Sequence, residues 1–371
     1  MKKKVILLIT IALISCATYA QGYYFRHYQV ENGLSHNTVF CTLQDSRGFM
    51  WFGTKDGLNR FDGTSFKIFR KAGQDTGSLG NNFVYSLLED ATGRMWVGTG
   101  KGLYVYNAGK ENFRHVPTPE LSDVNEIQTD NKGNIWFLMG ARLYRYDPVS
   151  GNVARPAELR DEWITSICIT DAGTIWFTTF ATLKKYDPGT GTYDSYDVFA
   201  HSPYTPTKWI EKMFYTGNGK ILLGTTGQGL KIFDTKDGSY TDALTYNPDK
   251  TNIFVRDFVH TANNEYWIAS ESGIFIYDME KGAIANLRKQ YNDPYSLSDN
   301  AIYSLCMDKE GGIWAGTYFG GVNYFPKQHL AFQKYFPDNS PQSISGNAVR
   351  EICQDRYGNI WIGTEDRGLN K

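Results

Sequence analysis

The side chains best suited to chemistry in this sequence lie in two rows that change type from one repeat to the next. Eight segments align on an anchor at positions 51, 96, 136, 176, 222, 267, 314 and 361. Twelve residues before the anchors stand Val39, Val84, Val124, Ile164, Ile210, Val255 and Ile302. These are always β-branched and therefore belong to the core of a sheet. Their neighbours obey no such rule. One residue earlier come Thr38, Phe83, Asp123, Trp163, Trp209, Phe254 and Ala301, and one residue later Phe40, Tyr85, Asn125, Thr165, Glu211, Arg256 and Tyr303. Aromatic faces interspersed with carboxylate, amide and guanidinium groups suit a sugar, whose C–H faces stack and whose hydroxyls need hydrogen bonds. The expected ligand site is Phe83, Tyr85, Trp163, Trp209, Glu211, Arg256 and Tyr303. The competing expectation is that these side chains plug a channel or pack between repeats. A further alternative is a hydrolase or lyase, which needs converging carboxylates such as Asp123 and Glu211. A third is a protein-interaction scaffold.

Other chemistries find little support. The histidines at 27, 36, 115, 201, 260 and 329 show no metal-ligand spacing, so neither a metal nor a cofactor is expected. There is no Gly-x-Ser-x-Gly elbow and no phosphate-cradling loop, and Gly227 and Gly229 fall inside a turn. No catalytic residue is assigned. Charge narrows the partners further: 38 Lys and Arg against 39 Asp and Glu leave a net charge of -1. A nucleic-acid surface has no electrostatic support, and a small uncharged ligand is expected.

The elements that must position these rows follow from the period. The phrase running through Asp45, Gly48, Trp51, Gly53, Thr54, Gly57, Leu58, Phe61 and Asp62 returns along the chain, with anchors 40 to 47 residues apart. That spacing fits a four-stranded propeller blade. Each unit reads as an apolar strand, a turn in which Asp bonds its own backbone and Gly takes positive φ, the anchor strand, a Gly turn and two further strands. The composition agrees, with 37 Gly, 25 Tyr, 22 Phe and 9 Trp and few of the residues that favour helices. A single such sheet cannot bury both faces, so Trp51, Trp96, Trp136, Trp176, Trp267, Trp314 and Trp361 are expected to pack between neighbouring blades. Leu222 replaces the Trp once. The expected class is all-β: a seven-bladed β-propeller of four-stranded antiparallel blades at 22–326, followed by the start of a second propeller at 327–371. A propeller closes when an N-terminal strand completes the last blade, and Tyr24–Tyr28 is the candidate. An eight-bladed ring is the alternative.

The first 21 residues read as a signal peptide, with three lysines in Met1–Lys4, an apolar run over Val5–Ser15 and small residues at Thr18 and Ala20. The run of about 11 apolar residues is shorter than the ~20 that a membrane span needs. Leu13–Cys16 also resembles a lipobox, which would make Cys16 a lipidated N-terminus. Cys168, Cys306 and Cys353 each precede their tryptophan by eight residues, and Cys41 sits two residues earlier in the same frame. Cysteines at equivalent places in successive units do not face one another, so buried thiols are expected rather than disulfides. The chain stops inside a strand at Lys371, which suggests the N-terminal piece of a longer protein.

These motifs, above all Gly33, Leu34, Ser35, Asn37 and Val39 followed by Asp45, Gly48, Trp51, Gly53, Thr54, Gly57 and Leu58, resemble the two-component regulator propeller repeat. The resemblance is specific in the first, second, seventh and eighth units. The third and fourth replace the Gly-Thr pair with Leu138-Met139 and Thr178-Thr179. WD40 repeats and the sialidase Asp-box are nearby patterns that fit less well. The resemblance implies paired propellers in the periplasmic sensor half of a hybrid two-component histidine kinase, often one that recognises oligosaccharides. Kinase activity would then lie beyond Lys371, membrane attachment would come through a downstream span, and the full-length sensor would be a homodimer.

Overall fold

A computed structural model describes residues 23–201, 207–262, 264–327, 334–338, 340 and 343–371. The expected signal peptide at 1–21, with Cys16, lies outside the described residues. The described residues form an all-β structure, with seven four-stranded antiparallel sheets and one of three strands. The first sheet is typical: Val39–Gln44, Met50–Thr54, Gly57–Phe61 and Phe66–Phe69 pair in chain order. The first strands of the seven sheets neighbour one another in a closed cycle, from Val39–Gln44 round to Ile302–Met307 and back. Arg26–Tyr28 supplies the fourth strand of the seventh sheet by pairing with Val322–Phe325. Phe25 N–H donates to Tyr295 O at 2.7 Å, and the Tyr28 ring stacks on Trp314 at 5.7 Å. No helix among the described residues is long and apolar enough to cross a membrane.

In five of the eight sheets the turn between the first two strands is built by one aspartate. Asp90 Oδ1 accepts the N–H groups of Thr92 and Arg94, and its Oδ2 accepts the Trp96 indole N–H at 2.9 Å. Asp45, Asp130, Asp308 and Asp355 hold their tryptophans in the same way, each at 2.9 Å. Besides shaping the turn, the aspartate therefore satisfies the one polar atom of a buried indole. The anchors from Trp51 to Trp314 are at most 5% exposed. Trp96 packs with Val124, Ile127 and Phe137 of the next sheet.

The glycine two residues after the anchor sets the spacing between sheets. A Cβ on Gly98 would lie 2.1 Å from Ser86 Oγ and 2.5 Å from Val124 O, so the neighbouring strand comes too close for any side chain. Gly53 has the same problem, with Cys41 Sγ at 2.4 Å and Val84 Cγ1 at 2.8 Å. This is why the β-branched row and the glycine row recur together.

The eighth sheet, Val349–Gln354, Ile360–Thr364 and Gly368–Asn370, keeps the turn but not the seam. A Cβ on Gly363 would meet nothing nearer than 3.8 Å, and Val349, Ile352, Ile360 and Leu369 are exposed. Cys353 is exposed, which corrects the expectation of a buried thiol: among the described residues no neighbouring sheet covers it. Cys41, Cys168 and Cys306 are free as well, and burial pushes each thiol up to about 12. They are protonated at neutral pH and poorly reactive.

Candidate ligand-binding site

The variable row one residue after the β-branched position owes its direction to a repeated backbone irregularity. In six of the seven sheets the pairing of the first two strands shifts between Val39 and Cys41, Val84 and Ser86, Val124 and Glu126, Ile210 and Lys212, Val255 and Asp257, or Ile302 and Ser304. The extra residue is Phe40, Tyr85, Asn125, Glu211, Arg256 or Tyr303. A bulge re-aims a side chain without breaking the ladder on either side. In the fourth sheet the strand begins at Ser166, and Thr165 N–H bonds Thr178 O at 2.9 Å.

These residues surround a cavity of about 890 Å³ at the centre of the ring. Of the seven expected site residues, Tyr85, Trp163, Trp209, Glu211, Arg256 and Tyr303 line it. Phe83 does not: its ring stacks on Phe40 at 6.5 Å and 19°, because the row before the β-branched position packs against neighbours in several sheets. From that row only Asp123, Trp163 and Trp209 reach the cavity.

Arg256 organises one wall. Its guanidinium donates to Glu211 Oε1 at 2.9 Å, to Glu271 Oε1 at 2.6 Å and to Tyr303 Oη at 3.2 Å, and lies 3.7 Å from the Phe254 ring centroid. Trp209 Nε1 donates to Glu211 Oε2 at 3.0 Å. Glu211 is thus held by two donors and fixed in place. The facing wall is looser. Trp163 is 48% exposed and lies parallel to Phe180 with centroids 6.5 Å apart. Asp123 accepts Ser122 Oγ at 2.8 Å.

Sequence reasoning missed the layer below, two residues after the β-branched position: Cys41, Ser86, Glu126, Ser166, Lys212, Asp257 and Ser304. Lys212 Nζ donates to Glu126 Oε1 at 2.7 Å, and Glu126 Oε2 also accepts Ser166 Oγ and Ile167 N–H. Asp257 Oδ2 accepts Leu305 N–H at 2.9 Å. Burial opposes the Lys212 charge, yet the attraction of Glu126 and Asp257 outweighs it and raises the ammonium above its ordinary value. Burial raises Asp257 above the usual carboxylate range, with Lys212 opposing. These contacts join the third sheet to the fourth and fifth and the sixth to the seventh, and Glu126, Lys212 and Asp257 line the cavity. The signal was present in the sequence: within the seven four-stranded units, charged residues stand in three where the other four have Cys or Ser.

The described residues contain no group of three metal-ligating side chains. A ring of repeated sheets around a cavity defines a propeller-like domain. Segments 33–56, 78–101, 296–319 and 343–366 match the two-component regulator propeller. The matches fall on the first, second, seventh and eighth units, where the motif is intact. Over 74 residues, 20% of this chain and 5% of the relative, the sequence is 36% identical to histidine kinase P4 of Formosa agariphila. The fold is similar to the extracellular domain of a protein titled as a hybrid two-component system from B. thetaiotaomicron, with TM-score 0.76 and 24% identity. That match covers 94% of this chain and 48% of the other. Another extracellular domain from B. thetaiotaomicron, titled as that of a one-component system, gives TM-score 0.72 at 20% identity over 92% of this chain and 52% of its own. Virginiamycin B lyase from Staphylococcus aureus gives 0.64 at 14% identity over 83% of this chain and 100% of its own. The chain thus spans about half the length of the extracellular domains it matches and a small part of the kinase.

Proposed function

We propose that this chain is the extracytoplasmic ligand-sensing part of a hybrid two-component histidine kinase, and that the axial cavity takes a glycan-derived oligosaccharide. The observation that carries this reading is the wall of bulge residues, where Tyr85, Glu211, Arg256 and Tyr303 join Trp163 and Trp209 around one space of about 890 Å³. That volume falls within the range of small-molecule sites. In this reading the seven four-stranded sheets are the blades of one propeller over 22–326, and 327–371 opens a second. The exposed face above Gly363 supports it, since the same position is covered in the ring. The domain would lie in the periplasm as part of an inner-membrane protein, with lipid attachment at Cys16 as the alternative. Output would come from kinase domains beyond Lys371, in a homodimer.

Titration calorimetry with a panel of glycan oligosaccharides tests this. Trp209→Ala and Arg256→Ala should each weaken the best ligand about tenfold or more, because each removes a stacking face or a charged donor. Unchanged affinity in both variants would rule the site out. The lyase fold similarity raises an enzymatic alternative, but Glu211 is bonded by Arg256 and Trp209, which suits recognition better than proton transfer. Turnover of the bound glycan by the purified chain would reverse that judgement.

A further inference from the structure

The fourth sheet departs from the others at the mouth of the cavity. In seven of the eight sheets the N–H four residues after the anchor donates to the carbonyl thirteen residues before it, at 2.9 to 3.2 Å; Gly100 to Phe83, Thr226 to Trp209 and Tyr318 to Ala301 are examples. The bond ties the lead-in of each sheet to its own second turn. In the fourth sheet the two positions are Phe180 and Trp163, and they do not form it. Phe180 O instead accepts Ile210 N–H from the fifth sheet at 2.8 Å.

The result is a pair of exposed rings. Trp163 is 48% exposed and Phe180 46%, whereas the aromatic residues at these positions in the tied sheets, Phe83, Trp209, Phe254 and Tyr318, are half-buried. The planes of Trp163 and Phe180 lie within 15° of each other with centroids 6.5 Å apart, so neither ring covers the other's face. Phe180 also takes φ +49°, a left-handed conformation that strains a bulky residue and that glycine supplies in the third sheet, at Gly140 with φ +55°. Both rings are nonetheless braced. Trp209 meets Phe180 edge to face at 5.1 Å. Glu162 holds the lead-in in place of the missing bond: its carbonyl accepts Arg142 Nη1 at 2.8 Å, and its carboxylate accepts Lys184 Nζ at 2.6 Å and Tyr193 Oη at 3.0 Å. Apolar surface held in place against both strain and water marks a binding surface. This one continues the cavity outward, since Trp163 and Trp209 line it and Phe180 stands beyond its lining.

We propose that Trp163 and Phe180 form a stacking subsite for one pyranose of an oligosaccharide whose other units enter the cavity, so that the ligand is selected by its length. A pyranose offers an apolar C–H face matched to an aromatic ring, with hydroxyls at its edge for the polar groups further in. This rests on the saccharide reading of the same cavity and adds to it a residue, Phe180, and a requirement that the sugar chain reach from the cavity to the rim.

The test titrates the chain by calorimetry with β-1,4-linked glucose, mannose and galactose oligosaccharides, each as disaccharide and tetrasaccharide. In at least one series the tetrasaccharide should bind about tenfold more tightly than the disaccharide, the scale of one added stacked ring. In Phe180→Gly and in Trp163→Ala that ratio should fall toward one, and Phe180→Tyr should keep it. Glycine takes φ near +49° without strain, so Phe180→Gly should melt at the same temperature or higher. A ring kept only for packing would instead give a lower melting temperature and an unchanged ratio. The bound tetrasaccharide should also shield Trp163, the most exposed of the described tryptophans, from acrylamide quenching, and Trp163→Phe should abolish that protection. If Phe180→Gly is unfolded, Phe180→Asn, which also tolerates the left-handed region, carries the same readout. A tetrasaccharide no tighter than its disaccharide, a ratio untouched by the variants, absence of protection, or binding of none of these sugars overturns the inference. The underlying saccharide reading fails separately, if a sugar that binds keeps its affinity in both Trp209→Ala and Arg256→Ala.

Discussion

The seam between the second and third sheets and the seam between the third and fourth are made by different means. In the former, Gly98 lets Val124 O approach to within 2.5 Å of where a Cβ would stand. In the latter, Leu138 occupies the glycine position, buried against Ile164 and Ile167. Here the cavity changes shape. From the third sheet, Leu138, Gly140 and Ala141 of the anchor strand and its turn line it, whereas the other six sheets contribute only first-strand or lead-in residues. In this one seam the departure from the glycine pattern coincides with an extension of the cavity between the sheets.

The largest expected effect separates a covered glycine from an uncovered one. Gly98→Ala should lower the unfolding free energy by about 2–4 kcal/mol in urea, because the new methyl must displace backbone. Gly363→Ala, at the same repeat position with 3.8 Å of clearance, should change it by less than about 0.5 kcal/mol. Equal effects would refute the difference between ring and eighth sheet. At the wider seam, Leu138→Ala should cost about 2–3 kcal/mol by opening a void, measured in the same way. A smaller contrast concerns the anchors. Trp96→Phe loses the indole bond to Asp90 and should cost about 1–2 kcal/mol beyond the volume change. Trp176→Phe should lack that excess, since Thr170 stands in place of the aspartate.

Acidity gives the smallest and most specific contrast. For Asp90, burial opposes ionisation, but bonds from Thr92, Trp96 and Arg94 outweigh it and hold the carboxyl below its usual range. Its stabilisation is present above the ordinary carboxylate value of about 4 and is lost as pH falls through the lower folded value. Asp257 is raised by burial, so its contribution is present below about 4 and lost as pH rises through the folded value. Urea midpoints at acidic and neutral pH should show Asp90→Asn least harmful in acid and Asp257→Asn least harmful at neutral pH. The same sign for both would show that the two environments are not opposed.

Much of the fold was legible because the repeats compare themselves. A β-branched residue at every twelfth position before an anchor can only be core, and Val39, Val84, Val124, Ile210, Val255 and Ile302 are fully buried. The wall of the cavity was legible for a related reason: Tyr85, Glu211, Arg256 and Tyr303 vary where a packed position could not. Phe83 was misplaced because aromatic character alone does not distinguish a ring facing a cavity from one stacked on Phe40. The layer below it was missed because Cys41, Ser86 and Ser304 look like small core residues, which hid the significance of Glu126, Lys212 and Asp257 in the same frame.

The sequence by itself determined the period, the strand order, the Asp-turn and the buried tryptophans, since each depends on interactions within one repeat or with an identical neighbour. Only the tertiary structure decided which side chains meet. The bulge that turns Arg256 toward Glu211, the 45-residue separation of that pair and the meeting of Glu126 with Lys212 across 86 residues arise when the ring is formed. Contacts across an axis carry no local pattern, because their partners are set by the number and tilt of the sheets between them.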